Sequence, residues 1–592
     1  MGLLEIVRAI GGLLLLFLPG FLLTYLFFGS EGISRVGRIT LGFALSISLI
    51  TLMLFAVNKL LGVKINLLTS TIIISVIIFA AVLASLKSRL FRLNSFLSPI
   101  NISRNQLAEC IGLLLTLAFA FFMAFIPHLD YAYPLHIDEW YHFGYSQALT
   151  QAETTVFAEP FLGEWTIFDH HEIGFHLFLN QIRLLTGLSW VKIFSFLPGV
   201  LFMLTVLTSF TIGQRDNFGV AAAFFVTLIP TTVRFLGPAF LTPLTLGLFF
   251  LATILFLLHC CEINRLKAVA LFLLLAFLFL SHPPTGIAAC VLCLIYGFLT
   301  LWKNEKRGIA RWQTPLLIWG GAFVSSFVGL ARFWEWTATK AAQVLQPESP
   351  LPLIYDAWAK FGFIPLGLFA VGIGFLAYKN STKAWGLIAS SYAFLTIILS
   401  FRWLEIGVFI LYERSFLYLM LLAGIIAGSA ATNIRGYLKS WLAKLTRKAS
   451  LLSLVIVLVL VVTSGVLSVC YHLKEPYYHL ITETQYNDCR WIRENLDSGY
   501  QKALVNPRMA IAFSALTGKP IYVSDASIIF WYPERLKEVD EFLRGNASDT
   551  SWLIEKDIDI VYSELPVNNP ELIKLKERVY IVPEELRGET SL

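Results

Sequence analysis

Between two long apolar stretches the chain carries YAYPLHIDEWYHFGYSQALTQAE, Tyr131 to Glu153. If the part beginning at His136 is a helix, Asp138, His142 and Tyr145 fall at i, i+4 and i+7 on one face. Pro134 pins the approach to that helix, and Trp140, Phe143 and Leu149 suit a membrane interface. A carboxylate near the bilayer edge is costly unless it is paired or opens into a watery cavity. Asp138 and Glu139 are therefore candidates for taking a proton or holding a ligand. The plainer reading is that both complement the helix dipole from its first turn.

A second cluster in the same loop weakens the plainer reading. FDHHEIGFHLFLNQIRLLTG, residues 168–187, places Asp169, His170, His171 and Glu172 consecutively, with His176 four residues after Glu172. On a helix, Asp169, Glu172 and His176 line one side, while Leu177, Ile182 and Leu185 form a side able to lie along a membrane. Carboxylate and imidazole groups can bind a divalent metal, Mn or Mg before Zn, and Asp138, Asp169, His170, Glu172 and His176 are the available ligands. The spacing matches no recognised metal motif. Acid–base or acceptor-binding use without a metal, and a merely solvated surface, stand beside the metal reading.

A substrate needs more than a base. Cationic residues recur near the ends of apolar segments: Arg234, His282 in LSHPPTG, Arg332 in LARFWEWT, Arg402 with Glu405, and Arg414 beside Glu413. Singly, each arginine reads as an anchor whose head group reaches for water. Together they could form a site for a phosphate head group, since guanidinium matches phosphate oxygens. Arg414 is the first choice, because it starts a span next to Glu413. The stretch from about 333 to 360, with QVLQPESPLPLIYDAW, is a mobile lid or a static connector.

The elements that must position these residues are membrane helices. Of 592 residues, 57% are hydrophobic and 14% charged, where a soluble chain carries nearer a quarter charged. Mean hydropathy is +0.71. Apolar segments long enough to cross ~30 Å of hydrocarbon recur. Fourteen spans are expected, at 9–28, 39–61, 66–86, 106–127, 190–211, 217–235, 239–261, 267–281, 285–302, 314–331, 361–377, 384–401, 413–432 and 450–470. The first is not a cleaved signal peptide, because its apolar core is long and Pro19-Gly20 is no small-residue cleavage site. The class is a polytopic α-helical membrane protein, with membrane lipids as direct partners. A net charge of +6 implies no nucleic acid, since basic residues gather at cytoplasmic helix ends.

Arg35, Arg38, Lys87, Lys303, Lys379, Arg435 and Lys448 lie in loops that alternate consistently, which puts those loops in the cytoplasm. The acidic loop 128–189 and everything after about 470 are then outside. Three parts follow: a three-span module at 1–105, an eleven-span module at 106–470 containing that loop, and a small α/β domain at 471–592. In the last part, DCRWIRENL, MAIAFSALTG and RLKEVDEFLRG read as helices, and KALV, PIYVSD and DIDIVYS as strands. Cys470 and Cys489 could pair if that region is external, and the other five cysteines sit in apolar segments as packing residues. NAS at 546–548 is an N-glycosylation sequon.

HIDEWYHFGYSQAL after a span resembles the first external loop of GT-C superfamily glycosyltransferases. FDHHEIGFHLFLNQIRLLTG, FLFLSHPPTGI and YERSFLYLMLLAGIIAG are similar to later segments of archaeal members, and RWIREN, FSALTGKPIYV and WLIEKDIDIVYSE to their C-terminal domain. The resemblance covers about 106–592. It implies transfer of a sugar from a polyprenyl (dolichyl) phosphate donor to a glycan, lipid or protein acceptor on the extracytoplasmic face. It implies Asp138 as catalytic acidic residue with Glu139 beside it. The second motif then holds Asp169 or Glu172, with His142 and His171 nearby, and His282 and Arg414 fall where the carrier phosphate is expected; Arg332 and Arg402, from their place at span ends, are further candidates for it. Two departures matter: no WWDYG follows in the C-terminal part, which argues against a sequon-binding oligosaccharyltransferase, and the second motif is rich in histidine. A transporter, a non-catalytic surface assembly protein and a lipid-linked-sugar ligase or polymerase are the alternatives.

Overall fold

A computed structural model describes residues 2–29, 33–87, 103–168, 170–232, 234, 236–303, 312–329, 351–444, 446, 448–477, 479–497, 499–525, 532–545 and 548–587. Two compact units emerge. The first comprises Met1–Val57, Leu67–Asp130 and His171–Pro476; the second comprises Asn58–Asn66, Tyr131–His170 and Tyr477–Leu592.

The first unit is helical. Among the described residues ten helices are long and apolar enough to cross a membrane: Leu3–Phe28, Arg35–Leu61, Leu67–Ala84, Gln106–His128, Trp190–Gln214, Pro243–Cys260, Pro283–Trp302, Thr382–Leu404, Phe409–Leu442 and Ala449–His472. Three more expected spans form shorter helices, Arg265–Ser281, Gln313–Ser326 and Phe363–Lys379. The expected span at 217–235 is a correction. Only Gly219–Val226 is α-helical there, eight residues long. Beyond it the chain tightens, with Leu228 and Ile229 donating to the carbonyls three residues back, and Pro230 has no N–H to continue. Irregular backbone at membrane depth needs partners inside the protein. His472 Nε2 accepts the Thr231 N–H at 3.3 Å, and Thr231 Oγ1 accepts that of Ala239 at 2.9 Å.

Phe409–Leu442 is the spine of this unit, buried nearly without a break from Ser415 to Ala431. Its 34 residues span about 51 Å at 1.5 Å each. Gly424 and Gly428 face the Gly219–Val226 helix, where a Cβ on Gly428 would lie 2.3 Å from the Ala222 backbone nitrogen. This small-xxx-small pattern lets two backbones touch where no hydrophobic effect drives helices together.

The second unit joins distant segments of chain. Ile137–Ala152 packs on Ala510–Thr517. A hairpin of β1 (Phe157–Ala158) and β2 (Thr166–Ile167) follows. Ile521 N–H donates to the Phe161 carbonyl at 2.6 Å and Ser514 Oγ to that of Pro160 at 2.8 Å. Asn58 Oδ1 accepts from the Thr155 N–H and hydroxyl at 3.1 and 2.9 Å. The C-terminal sheet is built from β3 (Ala503–Leu504), β4 (Ile560–Tyr562), β5 (Ile573–Lys576) and β6 (Val579–Ile581) in the order β3-β4-β6-β5, with β3 and β4 parallel and the rest antiparallel. Leu504, Val539, Leu553, Val561 and Val582 fill its core. The expected PIYVSD strand contributes a single bridge, Ile521 to Ala503. All seven cysteines are free, so Cys470 and Cys489 form no disulfide.

Candidate functional site

In the second unit, local sequence sets the two carboxylates apart. His136 caps Ile137–Ala152, and its Nδ1 accepts the Asp138 N–H at 3.1 Å. Glu139 closes a capping box, its Oε2 accepting the N–H groups of Leu135 at 2.7 Å and His136 at 3.1 Å. Glu139 is fully buried; Asp138 keeps 43% of its side chain exposed. Asp138 Oδ2 lies 3.8 Å from His136 Nδ1. Because that nitrogen already accepts a backbone N–H, it carries no proton, and the approach is no ion pair. Glu139 holds the helix start, and Asp138 is open.

His142 and Tyr145, expected on the face of Asp138, are both buried. The Tyr141 hydroxyl lies 3.0 Å from His170 Nε2, and the Tyr145 ring lies 4.5 Å from the His170 ring. Phe161 packs on Tyr141 at 5.7 Å and Tyr145 at 5.6 Å. Burial pushes the Tyr145 phenol well above its usual range. Glu159 is a second backbone staple: buried, its carboxylate accepts the N–H groups of Phe161, Leu162 and Gly163 at 3.0, 2.6 and 3.3 Å. Burial raises its pKa against those three donors. Sequence reasoning missed both staples. The visible signal for Glu139 was its place three residues after the cap; Glu159 left none beyond the nearby Gly163.

In the first unit the second cluster begins at His171, whose Nε2 lies 3.7 Å from Glu172 Oε2. Glu172 precedes Ile173–Thr186, and its carbonyl accepts the N–H of Phe175 at 2.9 Å. His176 is fully buried. Burial pushes His171 down to about 4 and His176 to about 3, with His171 contributing to the latter; both imidazoles are neutral at pH 7. His282 fills the break between Arg265–Ser281 and Pro283–Lys303. Its Nδ1 lies 2.6 Å from Thr285 Oγ1, which lies 2.7 Å from the Tyr418 hydroxyl. The spacing of HPPT signals this relay, which sequence reasoning also missed.

His171, His282, Arg234, Arg402 and Arg414 all belong to the first unit, and the arginines among them are groups of the kind that bind an anion. Asp169 and Arg332 lie outside the described residues, as do 333–350 of the expected lid and Asn546 of the sequon. Of the expected metal ligands, His170 has Nε2 engaged with Tyr141 and His176 is enclosed.

No family model and no curated protein matches this chain. Solved structures do. The chain resembles the oligosaccharyltransferase of Archaeoglobus fulgidus in its apo form, with a TM-score of 0.52 and 11% identity over 77% of this chain and 69% of that one. It likewise resembles the same enzyme tethered by a disulfide to an acceptor peptide containing the NVT sequon, with a TM-score of 0.51 at the same identity and coverage. At this identity the likeness establishes the fold alone: a multi-pass α-helical membrane protein folded like that enzyme.

Proposed function

We propose that this protein is a membrane glycosyltransferase that moves a sugar from a polyprenyl (dolichyl) phosphate to an acceptor hydroxyl on the extracytoplasmic face. The observation that carries this reading is the GT-C type fold, shared over 77% of the chain with an oligosaccharyltransferase. The open carboxylate of Asp138 and the arginines Arg402 and Arg414 give it residues to work with. Asp138 accepts the acceptor's proton as its oxygen attacks C1 of the sugar. The bond from C1 to the phosphate oxygen breaks, and the electron pair leaves with polyprenyl phosphate. Attack from the opposite side inverts the anomeric centre. Matching the charge of the leaving phosphate lowers the barrier, and Arg414, Arg402, Arg332 and His282 are the candidates in the sequence for that role. Glu139 positions Asp138 through the cap.

A divalent metal, Mn or Mg, is a further part of the proposal, and no step above passes through it. The test uses purified full-length protein in detergent with a labelled polyprenyl-phosphate sugar. Release of free polyprenyl phosphate, abolished by Asp138→Asn, is the expected result. Absence of release with every donor sugar tried removes the transferase reading. Turnover that survives EDTA removes the metal.

A further inference from the structure

We propose that the aromatic residues ahead of Asp138 form an acceptor platform and that the acceptor is a carbohydrate; this rests on the glycosyltransferase reading. Four rings make a continuous ladder inside the second unit. His479 stacks flat on Tyr131, centroids 4.1 Å apart with planes 5° from parallel. Tyr131 meets Tyr133 edge-on at 5.3 Å, and Tyr133 meets Tyr486 at 4.8 Å. Tyr131 is the weld. It is buried, and its hydroxyl donates to the Ile481 carbonyl at 3.0 Å while accepting the Ile481 N–H at 3.2 Å. The other three rings reach the surface: Tyr133 and Tyr486 are half-buried and His479 is exposed.

The chemistry of the row selects its occupant. Phenol rings offer an apolar face with a polar tip, which matches a sugar ring with its C–H face and hydroxyl rim. Glu483, three residues before Tyr486, and Asp138 supply carboxylates that accept hydroxyl protons and repel an anionic ligand. An alkyl chain would be met by aliphatic side chains, and the four rungs are tyrosine and histidine. An extended peptide would use free backbone groups, and at Ile481 both are taken by Tyr131. Tyr133 and Asp138 are five residues apart in sequence, so their backbones lie within about 18 Å. A short glycan resting on the rings can bring a hydroxyl to Asp138.

The test uses the full chain in phosphatidylcholine nanodiscs, which avoid sugar-headed detergents. Neutral mannan, glucan and galactan oligosaccharides are the probes, read by saturation-transfer NMR, with an unglycosylated peptide containing Asn-Ala-Thr as competitor. At least one oligosaccharide is expected to bind. Tyr133→Ala and Tyr486→Ala each weaken it about tenfold, equivalent to ~1.4 kcal/mol, while Tyr133→Phe restores binding. His479→Ala, at an exposed rung, reports on the platform if Tyr133→Ala fails to fold. Binding of no oligosaccharide, displacement by the peptide, or unchanged binding in folded Tyr486→Ala overturns the platform. Donor cleavage is scored separately. Protein that cleaves the donor but binds no oligosaccharide overturns the platform alone; protein that binds oligosaccharide yet never cleaves the donor supports the platform and overturns the transferase reading.

Discussion

Asp138 and Glu139 show how one backbone position divides two roles. Adjacent carboxylates of equal charge differ because the Glu139 side chain reaches back to two N–H groups at the helix start, while Asp138 stays 43% exposed. Asp138→Asn removes the base and leaves the cap intact. Transfer is expected to fall at least about 100-fold with no change in thermal midpoint. Glu139→Gln keeps an accepting oxygen and most of the turnover; Glu139→Ala loses the cap and costs about 1 kcal/mol of stability. Paired assays of turnover and melting check this, and a turnover loss confined to Glu139→Gln would reverse the assignment. A related expectation concerns His282, whose ring is held through Thr285 and Tyr418. Thr285→Val removes the link, and the donor KM should rise several-fold, about 1 kcal/mol for one hydrogen bond, while kcat changes less. In the sequence the two carboxylates read as a pair, because residue type and helical spacing are visible there but the hydrogen-bond partners of each are not.

Elements were legible in proportion to the length of their apolar pattern. Thirteen of the fourteen expected spans coincide with helices, ten of them long enough to cross a membrane. Residues 217–235 failed because hydropathy measures what a segment is buried with, and not whether its backbone bonds to itself. His472 satisfies the Thr231 N–H from outside, Thr231 and Thr245 serve the backbone just beyond at Ala239 and Phe240, and no local period announces it. The strands Ile573–Lys576 and Val579–Ile581 are too short, at four and three residues, to show alternation. The close packing behind the irregular stretch gives the test at this scale. Gly428→Val would drive a side chain into the Ala222 backbone, and overpacking costs about 1–3 kcal/mol even where neighbours can shift. Gly436→Ala, in the same helix with nothing within 4 Å of the added carbon, is the control. The first should lower the thermal midpoint and the second leave it unchanged or raised; equal effects would remove the packing argument.

At the scale of the molecule, chain order hides which segments fold together. Asn58 bonds to Thr155 across 97 residues, and Tyr131 to Ile481 across 350. Such contacts leave no trace in periodicity or composition, so the membership of the second unit was not legible, whereas the membrane class was. One consequence of burial is global. His171 and His176 titrate at about 4 and about 3 in the folded protein, against an ordinary value of about 6.5 in an unfolded chain. Between those values the unfolded chain binds more protons, so folding stability falls as pH falls. The contribution is complete above pH ~6.5 and is withdrawn progressively down to the folded values, each unit of depression corresponding to about 1.4 kcal/mol. Melting curves in nanodiscs from pH 8 to pH 4 should therefore hold steady to about 6.5 and then drop. His176→Gln, which cannot gain a proton there, should flatten the drop while Asp138→Asn does not. A midpoint that stays level through pH 5 in the unmodified protein would mean that water reaches the His176 imidazole, and that Ile173–Thr186 is not enclosed in the helical unit as described.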